Sequence, residues 1–215
     1  MFFQKRAREL EIKNSYRSIM ELAKNYTDKQ TIQEQILMLT YLINSLLDDI
    51  CSSVIVEPLI KPVMGILQDP FPREYYDENG NSHSISIDKK INVDLSASKI
   101  YVRPWNNKRT FDNLKSLLIK DFVFHEENHF SIFYTDINLC YVYNGNHSIN
   151  AGRYLQKGTI LSEEYDISLL YSNYVTDGIY WYDTHSKEVI YKVKDFRLAA
   201  VFSLAQMRYK IKQMK

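Results

Sequence analysis

The chain has 215 residues, enough for one good-sized core or for a core with a helical appendage. Its 27 basic and 26 acidic side chains nearly cancel, which excludes a global field for nucleic acid or a membrane and leaves recognition to local charge. Two cysteines, Cys51 and Cys140, exclude a disulfide framework and read as small buried thiols suited to a reducing cytoplasm.

Residues 5 to about 25 carry Leu10, Ile12, Tyr16, Ile19, Met20, Ala23 and Tyr26 between charges, which predicts an amphipathic helix. Thr27-Asp28-Lys29-Gln30 has the spacing of a capping box and starts a second helix over 28–52. Its Ile32, Ile36, Leu39, Ile43, Leu46 and Ile50 make one apolar face. Pro58 is expected to open, and Gly65 to close, a third and shorter helix, kinked or broken at Pro62. Residues 1–67 therefore read as a helical region without a ligand cluster, packed on the remainder of the chain or offering a surface to a protein partner.

Residues 68–95 read as a linker or hairpin, with turns at Asp69-Pro70-Phe71-Pro72 and Asp77-Glu78-Asn79-Gly80-Asn81-Ser82 and a short alternating strand over 84–88. Ile100-Tyr101-Val102 predicts a strand leading into the basic box Arg103-Pro104-Trp105-Asn106-Asn107-Lys108-Arg109. A helix is expected over 110–120 with Phe111, Leu114, Leu117 and Leu118 inward. Strands follow at 122–124 or 130–134, then at 139–143, and beyond Gly158 at 167–174, 180–182 and 189–193. Residues 195–215 read as a closing helix whose last eight positions hold Arg208, Lys210, Lys212 and Lys215, a solvated basic end that favours the helix dipole. No segment approaches the ~18 uninterrupted apolar residues of a membrane span, so a soluble, cytoplasmic protein without a membrane partner is expected.

The most informative stretch is 137–155. The strand Leu139-Cys140-Tyr141-Val142-Tyr143 meets Asn144-Gly145-Asn146-His147-Ser148, and a helix follows with Ile149, Ala151 and Leu155 inward and Gly158 as its stop. A strand, a glycine turn and a helix start point backbone N–H groups outward and suit an anion. The plainer alternative is an ordinary turn in which Asn146 or Ser148 caps the helix. His147 is the candidate catalytic residue, because imidazole can act as general base, phosphate donor or metal ligand near neutral pH. Gly145, Asn146, Ser148 and Arg153, together with Arg103, Asn106, Lys108 and Arg109 of the basic box, are candidate ligand-binding residues, arginine being suited to phosphate by its planar fork.

The order from 95 to 170 (strand, basic box, helix, two strands, glycine turn, helix) resembles the ParB N-terminal and sulfiredoxin-like fold. The Asn-Gly-Asn-His-Ser turn and the Pro-Trp-Asn box also resemble uncharacterised bacterial proteins, and a composition rich in Tyr, Ile, Asn and Lys fits a low-GC bacterium or one of its phages. The resemblance implies two boxes that together hold a nucleotide or another phosphate-bearing group. Sulfiredoxin carries Gly-Cys-His-Arg at the turn, where this chain has Gly145-Asn146-His147-Ser148. The cysteine and arginine positions differ, so neither sulfur chemistry nor the family's grip on triphosphate is implied. ParB proteins have Gly-Glu-Arg-Arg there.

His125-Glu126-Glu127-Asn128-His129 fits H-E-x-x-H, which binds zinc when both histidines lie on one helix face. Its aromatic, β-leaning flanks instead make it a hairpin turn, or place one histidine in the His147 pocket. The expected architecture is α+β: a helical region over 1–67, the segment 68–95, and a ParB/sulfiredoxin-like mixed sheet with helices over 96–215 ending in a basic helix. Three functions are open to it: a nucleotide or phosphate pocket, with phosphoryl transfer or phosphodiester hydrolysis if it is an enzyme; a non-catalytic interaction or inhibitor protein of a mobile element; and a zinc hydrolase using His125 and His129. No resident metal or cofactor is assigned.

Overall fold

The computed structural model describes residues 2–63 and 67–214 and is α+β. Two units, interleaved along the chain, comprise Met1–Leu47, Pro70–Ile85 and Ile167–Lys215 in the first, and Asp48–Asp69 and Ser86–Asp166 in the second.

In the first unit, helix α1 (Phe2–Thr27) packs along the closing helix α5 (Phe196–Gln213). Helix α2 (Ile32–Ile60) belongs to this unit as far as Leu47, burying Leu39, Ile43 and Leu47. Its start differs from the expected one. Thr27 ends α1, its hydroxyl donating to the Ala23 carbonyl, and the capping box is Thr31-Ile32-Gln33-Glu34. Glu34 accepts from the Thr31 N–H at 2.9 Å while Thr31 Oγ1 accepts from the Glu34 N–H at 3.3 Å. Thr31→Ala is expected to lower stability by about 1 kcal/mol in denaturant unfolding, with Thr27→Ser far milder because its hydroxyl bond survives.

Pro58 lies in the last turn of α2 and opens no new helix, so its missing N–H costs one bond two residues before the helix ends. Gly65, its expected partner, and Lys215 lie outside the described residues. By length and composition α2 is long and apolar enough to cross a membrane.

The hairpin β1 (Glu74–Tyr76) and β2 (Ser82–Ser84) closes over Asp77, whose carboxylate accepts from the Asn79 and Asn81 N–H groups at 2.9 Å. The segment 167–174, expected as a strand, begins as a 3-10 turn because Ile167, Leu170 and Tyr171 recur every three or four residues and all enter the core. A three-stranded antiparallel sheet follows, β8 (Tyr174–Thr176), β9 (Tyr180–Asp183) and β10 (Val189–Lys192) in the order β10-β9-β8. Trp181, 1% exposed, meets Phe202 edge-on at 4.9 Å and Phe71 at 6.3 Å. Arg208 is buried and donates to Thr40 Oγ1 at 3.1 Å, so of the described basic residues at the end of α5 only Lys210 and Lys212 are exposed.

The second unit is a five-stranded mixed sheet in the order β3-β7-β5-β6-β4. Its strands are β3 (Ser86–Asp94), β4 (Lys99–Tyr101), β5 (Phe130–Tyr134), β6 (Leu139–Asn144) and β7 (Thr159–Tyr165). Residues 86–94, expected within a linker or hairpin, are thus the sheet's edge strand. A register shift between Ser86 and Lys90, with lysines on the outer strand, blunts that edge against further pairing.

Strand β7 is absent from the sequence reading because its buried positions include Ser162, whose hydroxyl meets Ser131 Oγ at 2.5 Å inside the sheet and breaks the apolar alternation. Residues 122–124 form no strand; Phe122 instead packs over Gly152 and Gly158 and joins the core of Val93, Leu95, Ile100, Val142, Ile149 and Ile160. Ile55, from the later part of α2, packs against that same core.

Helices α3 (Asn107–Ile119) and α4 (Asn146–Tyr154) pack on each other. In α3 only Thr110 and Leu117 are buried, whereas Phe111 and Leu118, expected inward, are 54% and 68% exposed. After α4, Gln156 at φ 54° and Gly158 at φ 99° turn the chain into β7, so the helix ends before the expected glycine.

Candidate functional site

The site is set by one pairing. β4 and β6 are adjacent and parallel, with Tyr101 opposite Tyr141, so the segments leaving their C-terminal ends emerge side by side. The first becomes Trp105-Asn106 and the start of α3; the second becomes Gly145 and the start of α4. The C-terminal edge of parallel strands is where open α/β sheets place ligands, because helix N-termini converge there. The two boxes are joined directly: the Asn106 N–H donates to His147 Nε2 at 3.0 Å.

Gly145 adopts φ +77° and is the N-cap of α4 without a side-chain cap bond, so neither Asn146 nor Ser148 is the cap. A Cβ at Gly145 would lie 2.4 Å from His129 Cδ2 and 3.0 Å from the Asn128 carbonyl. The turn therefore needs glycine both for its φ and for space. Beside it His129, 3% exposed, anchors a relay. Its Nδ1 accepts from the His125 N–H at 3.1 Å, which puts the proton of the neutral ring on Nε2. That Nε2–H donates to Ser148 Oγ at 2.9 Å, and Ser148 donates to the Gly145 carbonyl at 3.1 Å. Burial, with His125 adding to it, lowers the pKa of His129 to about 4.

This turn, with α3, encloses a cavity of about 460 Å³. His147, nine-tenths buried, faces it as a neutral ring whose pKa is lowered by burial and then by Arg109. Because Nε2 already accepts from Asn106, the neutral ring carries its proton on Nδ1 and offers a donor. General-base work at Nε2 would require breaking that bond. Arg109 lies 5.6 Å over the Trp105 ring, which meets His147 edge-on at 5.1 Å. Asn146 Oδ1 is buried and has no hydrogen-bond partner among the described residues.

Of the expected site residues, Arg109, Gly145, Asn146, His147 and Ser148 line this cavity. Asn106 holds it together from behind, its Oδ1 capping α3 by accepting from the Arg109 N–H at 3.0 Å. Three lie elsewhere. Arg103 pairs with Glu57 at 3.5 Å, Lys108 is exposed away from the cavity wall, and Arg153, at the far end of α4, lines a separate cavity of about 270 Å³ with Asp48, Cys51 and Lys99. Cys51 there is a buried thiol pushed up to about 12, which makes it inert.

The sequence reading missed Trp105, Asn113, Ser116, Lys120 and Asn128 as lining residues. The polar repeat Arg109, Asn113, Ser116, Lys120 at helical spacing was the available signal, obscured by the assumption that Phe111 and Leu118 mark the buried face.

The H-E-x-x-H stretch lies on a turn, and both ring nitrogens of His129 are engaged by protein groups, so the two-histidine helix face that zinc needs is not formed. Both His125 and His129 reach the His147 cavity and line it. Among the described residues no group of three or more His, Cys, Asp or Glu side chains is placed to hold a metal ion.

Fold and site thus define an α+β protein with a polar cavity at the C-terminal ends of two parallel strands. The chain belongs to a family of unknown function, DUF6710, whose model matches residues 2–215. No curated protein and no solved structure gave a match.

Proposed function

We propose that the cavity binds a nucleotide by its phosphate, as the ParB N-terminal and sulfiredoxin-like resemblance implies. The order β4, α3, β5, β6, α4 is the order that resemblance expects, and the α4 N-terminus, Arg109 and the His147 Nδ1–H supply the donors a phosphate takes. The observation that carries the reading is Asn146: its buried Oδ1 needs a donor, which a ribose hydroxyl or base amine provides and a fully ionised phosphoryl group lacks. A cavity of about 460 Å³ is of the size that takes such ligands. Recognition without turnover is favoured over phosphoryl transfer or phosphodiester hydrolysis, because the lone pairs of His147 Nε2 and His129 Nδ1 are both used by backbone N–H groups. A cytoplasmic protein of a low-GC bacterium or phage is the setting we assign to it.

Thermal shift with a panel of nucleotides, sugar phosphates and inorganic phosphate tests this. A nucleotide at 100 times its Kd should stabilise by about 2.7 kcal/mol. Arg109→Ala should abolish the shift, and Asn146→Ala should lower affinity for nucleotides more than for phosphate. A well-folded wild type shifted by no member of the panel would sink the reading.

A second reading, a non-catalytic protein-interaction role, draws on Leu37 and Tyr41, which are 69% and 67% exposed one turn apart on α2. Loss of partner binding in Leu37→Ser/Tyr41→Ser, with nucleotide binding unchanged, would separate the two.

A further inference from the structure

Resting on the nucleotide reading, we infer that the ligand of this cavity is a short single-stranded oligonucleotide, of which a mononucleotide fills only one end. One wall of the cavity is formed by Arg109, Asn113 and Ser116 of α3 and by Lys120, which caps that helix. At about 100° per residue the three helical ones fall within about 60° of one another, a straight polar stripe that Lys120 follows at the capped end. At ~1.5 Å per residue the stripe runs about 16 Å from Arg109 to Lys120, with a cation at each end and two neutral hydrogen-bonding side chains between them.

A single phosphate at the α4 N-terminus engages Arg109 and leaves Lys120 without a phosphate. A strand, which carries a charge about every 3.4 Å of axis when stacked, reaches both. Residues 107–121 hold Lys108, Arg109, Lys115 and Lys120 against Asp112 and Asp121, a local excess of positive charge in a chain that is near-neutral as a whole. Single-strand sites combine a cationic track with aromatic faces for unstacked bases, and Trp105, 38% exposed, presents such a face at the Arg109 end. Val123, 60% exposed, supplies an apolar contact at the Lys120 end. Asp121 also lines that end and offsets part of the Lys120 charge.

Fluorescence anisotropy with the full chain, comparing adenosine monophosphate as competitor with labelled hexamers of deoxyadenylate and adenylate, tests the inference. The hexamer should bind at least 10-fold more tightly than the mononucleotide. Lys120→Ala should weaken the hexamer 5- to 10-fold, weaken the mononucleotide much less, and reduce the salt slope by about 0.7, the share of one phosphate on a single strand. Trp105→Ala should weaken both. Equal affinity of monomer and hexamer, or indifference of the hexamer to Lys120→Ala, overturns the inference and leaves the nucleotide reading standing. Hexamer binding that neither Arg109→Ala nor Lys120→Ala reduces places the strand elsewhere and overturns it too, and failure of every phosphate-bearing probe overturns both. Arg109 and Lys120 are exposed, so unchanged melting temperatures are expected and identify binding losses as local.

Discussion

Replacing Gly145 by alanine is expected to cost about 3 kcal/mol of stability, the sum of two separate penalties. The first is conformational: at φ +77° an L side chain carries about 1 kcal/mol or more of backbone strain. The second is steric. The new Cβ would stand 2.4 Å from His129 Cδ2, and that ring cannot swing away without surrendering its bonds to the His125 N–H and Ser148. Forcing an extra carbon into such a place costs roughly 1–3 kcal/mol. Gly80→Ala separates the two, because Gly80 has nearly the same φ, +81°, with nothing within 4 Å of its would-be Cβ. Urea denaturation should therefore show Gly80→Ala losing about 1 kcal/mol and Gly145→Ala about 2 kcal/mol more. Equal losses would mean that the packing of His129 on the turn is slack, and the relay through Ser148 would lose its role in shaping the cavity.

The second large effect is acid sensitivity centred on His129. Its pKa falls from 6.5 to about 4 in the fold because the buried ring is held neutral and protonation would turn Nδ1 from acceptor to donor against the His125 N–H. A group depressed on folding binds more protons in the unfolded chain, so stability rises with pH through that interval. The contribution is complete above pH 6.5 and is lost as pH falls to about 4, to a total of about 3 kcal/mol. His147, depressed in the same direction, adds to the effect. Chemical denaturation between pH 7.5 and 4.5 should show the decline, and His129→Gln should flatten much of it while lowering stability at pH 7. An unchanged slope in that variant would assign the acid sensitivity to other groups. Ligand binding should follow the same pH range, since the protonated relay no longer holds the Gly145 turn.

Much of the fold was legible from local signals. The long helices announced themselves through apolar residues every three or four positions, and the Asp77–Asn81 hairpin turn and the strand over 139–143 through turn chemistry and β-branched or aromatic runs. The glycine turn at 145 was legible for the same reason: a strand pattern running into Asn-Gly and then into helical spacing admits few backbones. Errors fell where a local cue competed with packing. Thr27 and Thr31 both offer a cap four residues apart, and only the box at Thr31 has a glutamate to close it. Pro58 looked like a helix start but is tolerated in a last turn. Ser162 disguised a buried strand because its hydroxyl finds Ser131 across the sheet, a partner 31 residues distant.

The sequence by itself determined which short segments carry chemistry, Trp105–Arg109 and Gly145–Ser148, since residue types and turn residues are local properties. Which of their side chains share a cavity was decided by tertiary structure alone. The parallel pairing of β4 with β6 joins segments about forty residues apart and brings Asn106 onto His147, whereas the length of α4 carries Arg153 away to another cavity. Strand order and helix length act over the whole unit, so the same arginine at the same spacing is a ligand-binding residue or a bystander according to a pairing that no local pattern encodes.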